Sequence, residues 1–219
     1  MQVSQAIAQR MSVRAFLDKR PDAAVVQDIL ARAAQAPSGG NLQPWRVYAL
    51  AGNALEGLKA KVAANPFGET PEYAVYPPEL WDPFRSRRFK NGESLYAAIG
   101  IPREDRPARL AQLAKNGTFF GAPVGVFFCL DRKLGPPQWS DLGMYMQNVM
   151  LLAVENGLAT CAQEYWAIYP KLVAETLGLP EDHMVFSGMA LGYADQTAPI
   201  NSWRSARDGF DTWGSLIGF

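Results

Sequence analysis

The chain has 219 residues, 48% of them hydrophobic, enough for one sizeable core or for one protomer of an intertwined dimer. Its 21 basic and 21 acidic residues cancel, and no run of like charge is longer than a pair such as Arg87-Arg88, which argues against a nucleic-acid or anionic-membrane surface. The longest apolar run, Ala122–Leu130, is too short to cross a bilayer, and the single histidine leaves little material for metal or nucleophile–histidine sites.

Residues Val3–Arg10 read as a short helix with Val3, Ala6 and Ile7 on one side. Ser12–Lys19 reads as extended or looped. Asp22 is placed to cap a helix whose apolar positions Val25, Val26, Ile29, Leu30 and Ala33 follow the 3.6-residue period. That helix runs into Ala36-Pro37-Ser38-Gly39-Gly40-Asn41-Leu42-Gln43-Pro44-Trp45. Pro37 stops it, Gly39-Gly40 frees the backbone, and Ser38, Asn41 and Gln43 offer donors and acceptors on the bend. A strand, Trp45–Leu50, follows, then a helix marked by Leu55, Leu58 and Val62. From about 65 to 107 the chain turns proline- and aromatic-rich without a period. Long aperiodic segments are functional or disordered, and the aromatic content favours an excursion covering a site.

Pro102–Lys115 returns to helix, and Gly121–Asp131 is a buried strand by its valine and phenylalanine content. Ser140–Glu155 is the strongest helix, with an apolar face wide enough to predict extensive burial. Gly157 sits where a left-handed cap belongs. Leu158–Gln163 is strand-like, Tyr169–Leu177 helical with Gly178 as its stop, and Met184–Gly192 a last strand. His183, in Pro180-Glu181-Asp182-His183, reads as a solvated loop residue. Cys129 and Cys161 both lie in apolar strands, so a reducing cytoplasm is expected and a disulfide framework is not. No linker or internal repeat breaks the chain, so residues 1–219 are expected to form one domain.

No dinucleotide fingerprint, phosphate-binding P-loop or nucleophile elbow occurs, so an enzyme of this sequence would depend on a cofactor. Arg10, Ser12 and Arg14 fall at alternate positions, so an extended backbone points all three the same way. Arginine forms planar, charge-assisted contacts to phosphate and serine adds a neutral donor. Taken alone, the pattern is better read as solvated charges beside a helix.

In order along the chain, several segments resemble the FMN-dependent nitroreductase family: Arg10-x-Ser12-x-Arg14-x-Phe16, then Ala36-Pro37-Ser38 with Asn41, Gln43, Pro44 and Trp45. Gly121-Ala122-Pro123-Val124, Gly157 to Trp166, Leu191 to Asp195, and Trp203-Arg204-Ser205-Ala206-Arg207 continue the likeness. Ala162 and Tyr165 depart from the proline and glycine common in relatives. The resemblance implies an α+β nitroreductase-like fold, a mainly antiparallel central sheet flanked by helices, in an interlocked homodimer. It implies FMN at two interface sites, with NAD(P)H as electron donor and a nitroaromatic or quinone-like acceptor in a ping-pong cycle. Cofactor-binding residues would be Arg10, Ser12, Arg14, Arg204 and Arg207, with Pro37, Ser38, Gly39, Asn41 and Gln43 from the other protomer. Backbone groups of Ala162, Gln163 and Glu164 would meet the flavin edge. Tyr96, Phe120 and Tyr165 are the candidates for the acceptor pocket. No metal and no catalytic side chain are implied. The same flavin fold also serves dehydrogenation, dehalogenation and flavin breakdown, or simple sequestration of flavin.

Overall fold

A computed structural model covers residues 1–219. In chain order it forms α1 (Val3–Gln9), α2 (Ala23–Ala33), β1 (Arg46–Ala51), α3 (Gly52–Ala64), α4 (Phe84–Ala98) and α5 (Arg106–Ala114). There follow β2 (Val124–Asp131), α6 (Pro136–Glu155), β3 (Ala159–Gln163), α7 (Pro170–Leu177) and β4 (His183–Gly192). The four strands make one antiparallel sheet in the order β1-β2-β4-β3. No helix is long and apolar enough to cross a membrane.

Strand β2 is apolar on both faces because the sheet is covered on both sides. Val124, Val126, Phe128 and Leu130 face a core with α2 and α6, where Ile29, Ala33, Leu142 and Val149 are fully buried. The alternate residues Phe127 and Cys129 face a second core with α3, α7 and Trp166. Two glycines let the second core approach the sheet. A Cβ on Gly125 would lie 2.6 Å from the Phe119 ring, and one on Gly188 2.3 Å from Trp166. Phe119 and Trp166 stack there at 4.4 Å.

The local signals explain most boundaries. Asp22 accepts the N–H of Ala24 at 2.8 Å and starts α2. Gly157 (φ 69°) and Gly178 (φ 60°) take the left-handed conformation after α6 and α7. Helix α6 begins four residues earlier than Ser140, since proline is tolerated in a first helical turn. Segment 12–17 is extended: Ser12 bridges Thr160 in parallel, the Val13 N–H donates to the Thr160 carbonyl at 3.0 Å, and Leu17 donates to Tyr193.

Two expectations are corrected. The stretch from 65 to 107 is not aperiodic throughout, because its second half contains the fifteen-residue helix α4. That helix buries no residue, so it shows no apolar stripe; ion pairs and guanidinium–aromatic contacts hold it instead. His183 is not a free loop residue but opens β4, with Nδ1 2.6 Å from Asp182 Oδ1. On α1 only Ala6 is buried, leaving Val3 and Ile7 exposed on the protomer.

Candidate functional site

Helix α1 ends at Arg10, where the chain becomes extended along β3. Arg10 lies beside Arg207 and Arg204; partial burial, then those two charges, hold its pKa below the usual arginine value. Arg10, Arg14, Arg204 and Arg207 form no ion pair with any carboxylate. Three converging guanidiniums without a counter-charge repel one another unless an anion sits among them. The donor set fits a phosphate monoester, with planar forks from arginine, and Ser12 follows two residues on in the same extended segment.

Arg204 is bound differently from the expectation. Its Nη1 and Nη2 donate to the Ala8 and Gln9 carbonyls, both at 2.5 Å, closing the C-terminal end of α1. It therefore fixes the start of the Arg10 segment while adding charge to the cluster. Arg14 stands apart from that cluster. Its backbone N–H donates to Asn201 Oδ1 at 2.8 Å, its Nη1 to the Ser12 carbonyl at 3.2 Å, and its guanidinium lies 6.0 Å from the Trp203 ring centre.

The 37–43 loop is exposed and does not hydrogen-bond to this cationic segment within the protomer. Gly39 N–H donates to the buried carboxylate of Asp141 on α6 at 3.1 Å, and Gln43 N–H donates to Ser38 Oγ at 3.0 Å. Asn41 (φ 56°) and Gln43 (φ 49°) adopt the left-handed region that residues with a Cβ disfavour. The bend is thus tied to α6 at Gly39 and closed on itself, with Gln43 Nε2 also donating to the Asn41 carbonyl at 3.3 Å.

At the end of β3, Ala162 and Glu164 are exposed, whereas Gln163 is 2% exposed and points inward. Its Nε2 donates to the Asn116 carbonyl (2.9 Å) and Oδ1 (3.1 Å), and its Oε1 accepts from Trp166. The Gln163 side chain consequently holds the strand end in place, leaving only its backbone for a ligand. Glu164 faces Tyr76, whose ring carries the Arg88 guanidinium at 4.5 Å. Burial raises the Tyr76 pKa, the Glu164 charge raises it further, and Arg88 opposes that.

Residues 7–193 match the profile described as "Nitroreductase family". The chain belongs to the nitroreductase family. Among curated nitroreductases it is 38% identical over 203 residues to the nitrobenzene nitroreductase of Ectopseudomonas oleovorans, covering 91% of this chain and 89% of that protein. It is 35% identical over 215 residues to the 4-nitrobenzoate reductase of Pseudomonas putida, covering 97% and 94%. The crystal structure of the FMN and NADPH-dependent nitroreductase NfnB from Sphigopyxis sp. strain HMH superposes with a TM-score of 0.97 at 48% identity, covering 100% of both chains.

Of the acceptor-pocket candidates, Phe120 is buried, whereas Tyr96 and Tyr165 are partly exposed. Phe120 is 7% exposed and belongs to the second core. Tyr96 lies under the Arg109 guanidinium at 4.3 Å and donates weakly to the Arg109 carbonyl, joining α4 to α5. Tyr165 is half-buried against Trp166, its hydroxyl 3.2 Å from that of Tyr169; burial and then that neighbour raise its pKa. Sequence reasoning gave no role to Asp141, Asn116 and Asn201, and named Trp203 only as part of the C-terminal motif; Asp141 holds the 37–43 loop, Asn116 the end of β3, and Asn201 and Trp203 the Arg14 segment. Nothing local distinguishes such a residue from any other polar or aromatic position.

Proposed function

We propose that this chain is an FMN-dependent NAD(P)H oxidoreductase that reduces nitroaromatic or quinone-like acceptors in two alternating half-reactions. The carboxylate-free Arg10–Arg204–Arg207 cluster, with Arg14 set apart on the same extended segment, carries the reading. Its relatives support it: NfnB of Sphigopyxis is described as FMN and NADPH-dependent, and the curated relatives as nitrobenzene and 4-nitrobenzoate reductases.

Bound FMN would supply the redox chemistry, accepting a hydride from NAD(P)H and passing the electrons to the acceptor. Arg10 and Arg207 would hold its phosphate, Ser12 its ribityl chain, and Arg14 the N1/C2=O edge of the ring. Alternate strand residues are about 6.8 Å apart, so Arg10 and Arg14 span roughly 13 Å, longer than a phosphate and comparable to phosphate plus ribityl chain. A guanidinium at the N1 edge favours the negative charge that reduction places there. The backbone of Ala162–Glu164 would meet the other ring edge, held in register by Gln163. Pro37–Gln43 would come from a second protomer, since within one chain this loop makes no hydrogen bond to the cationic segment. The exposed tail residues Trp213, Leu216, Ile217 and Phe219 support that homodimer. The two buried, unpaired cysteines support a reducing compartment such as the cytoplasm.

The test is NADPH consumption under anaerobic conditions with 4-nitrobenzoate. Sustained turnover supports the proposal. A flavin that NADPH bleaches but 4-nitrobenzoate does not reoxidise would point to another reaction on the same scaffold, and a flavin that NADPH does not bleach would point to sequestration.

A further inference from the structure

Arg14 is held by unusual means for a surface-facing cation. No carboxylate pairs with it, yet its position is fixed from three sides. Its N–H donates to Asn201 Oδ1 at 2.8 Å, its Nη1 reaches the Ser12 carbonyl at 3.2 Å, and the face of Trp203 lies beneath its guanidinium. Asn201 is itself locked, because Nδ2 donates to the carbonyls of Ala15 and Asp195, both at 2.8 Å. Trp203 is locked too: its indole N–H donates to Ser94 Oγ on α4 at 2.8 Å. Five residues on, Asp208 pairs with Arg87, also on α4.

We propose that Trp203 is a positioning residue for Arg14, and that through Ser94 it ties the Arg14 guanidinium to helix α4. An aspartate or glutamate could orient Arg14 as well, but it would cancel the field that Arg14 directs at a ligand. An indole face orients the cation through its quadrupole and leaves the net charge uncompensated. A fixed, unneutralised cation is what stabilises charge appearing on a neighbouring group, since no reorganisation is needed when it appears. Helix α4 buries nothing in the core, so its position is set by contacts such as these. Displacement of α4 therefore moves Trp203 and alters the field of Arg14.

This inference rests on the placement of Arg14 at the flavin ring edge. It is tested by measuring FMN dissociation constants for the oxidised and reduced states, with spectroelectrochemical titration of the bound flavin, in wild type and in Arg14→Ala, Trp203→Leu, Trp203→Tyr and Ser94→Ala. Trp203→Leu is expected to weaken reduced FMN about tenfold more than oxidised FMN, which for a two-electron couple is a drop of about 30 mV. Trp203→Tyr should restore most of the loss by returning an aromatic face. Ser94→Ala should shift the potential in the same direction by less, although Ser94 is not among the proposed flavin ligands. If Arg14→Ala lowers the potential while Trp203→Leu weakens both flavin states equally, the relay is wrong and the ring-edge reading stands. If Arg14→Ala leaves the potential unchanged, the ring-edge reading fails and the relay with it. Should Trp203→Leu not fold, Ser94→Ala decides the matter, and a wild-type potential in that variant overturns the link to α4.

Discussion

Arg207 and Arg85 are both exposed arginines, but their surroundings give them opposite expected roles. Arg85 pairs with Asp82 at 3.0 Å on the excursion, whereas Arg207 adds uncompensated charge beside Arg10. Arg207→Ala should weaken FMN binding by roughly 1.5–3 kcal/mol, the range for a charge-assisted hydrogen bond, and Arg85→Ala should leave it at the wild-type value. Equal losses in a fluorescence titration of FMN would misplace the phosphate. The thiols provide a second residue-scale test. Burial pushes the Cys129 pKa up to about 12 and raises that of Cys161, so both remain protonated and inaccessible at pH 8. The native protein should not react with a thiol-specific disulfide reagent there, and two thiols should appear on denaturation. The alternation of Arg10, Ser12 and Arg14 was legible because a period of two needs only local sequence. The packing of Phe120 and Tyr96 was not, because whether an aromatic ring joins a core or lies under a guanidinium depends on partners distant in sequence, such as Arg109.

The elements divide along the same line. Helices α2 and α6 and strand β2 were readable from sequence because each presents an apolar pattern to a core, and the pattern has the period of the element. Helix α4 was invisible because it presents none: Arg88 on Tyr76, Arg87 on Phe84 and Arg109 with Glu93 leave no apolar stripe. The narrow space beneath β4 carries its own prediction. Gly188→Ala would drive a methyl to 2.3 Å from Trp166, behind the strand end that carries Ala162–Glu164. Overpacking of a close-packed core costs about 1–3 kcal/mol, to be read as a lowered denaturant midpoint. An unchanged midpoint would mean that Trp166 yields easily. The Gly39–Asp141 contact makes a separate case. Asp141→Ala removes the acceptor for the Gly39 N–H, and the strained 37–43 bend should loosen. Faster proteolysis within that loop, with α6 still protected, is the expected outcome, and an unchanged cleavage pattern would leave the bend independent of α6.

At the scale of the whole molecule, the single chain exposes apolar side chains on three separate segments, as the proposed homodimer would require. Val3, Ile7, Leu42, Trp213, Leu216 and Ile217 are all more than half exposed, and they sit on α1, the 37–43 loop and the tail. Truncation after Asp208 should therefore give aggregated or flavin-free protein, checked by size-exclusion chromatography with absorbance at 280 and about 450 nm. A soluble, yellow, monomeric product would contradict the shared site. The sheet and its two cores follow from this chain's own pattern, whereas the proposed site, which a second copy would complete, leaves only outward-facing polar residues and an apolar tail in the sequence. The central claim, that the Arg10–Arg207 cluster exists to hold the phosphate of FMN, is tested most directly by the absorption spectrum of the purified protein and the chromatographic identity of what it releases. The expected result is a flavin spectrum with FMN, and no FAD, released on denaturation. A colourless protein that stays colourless after FMN is added would contradict it.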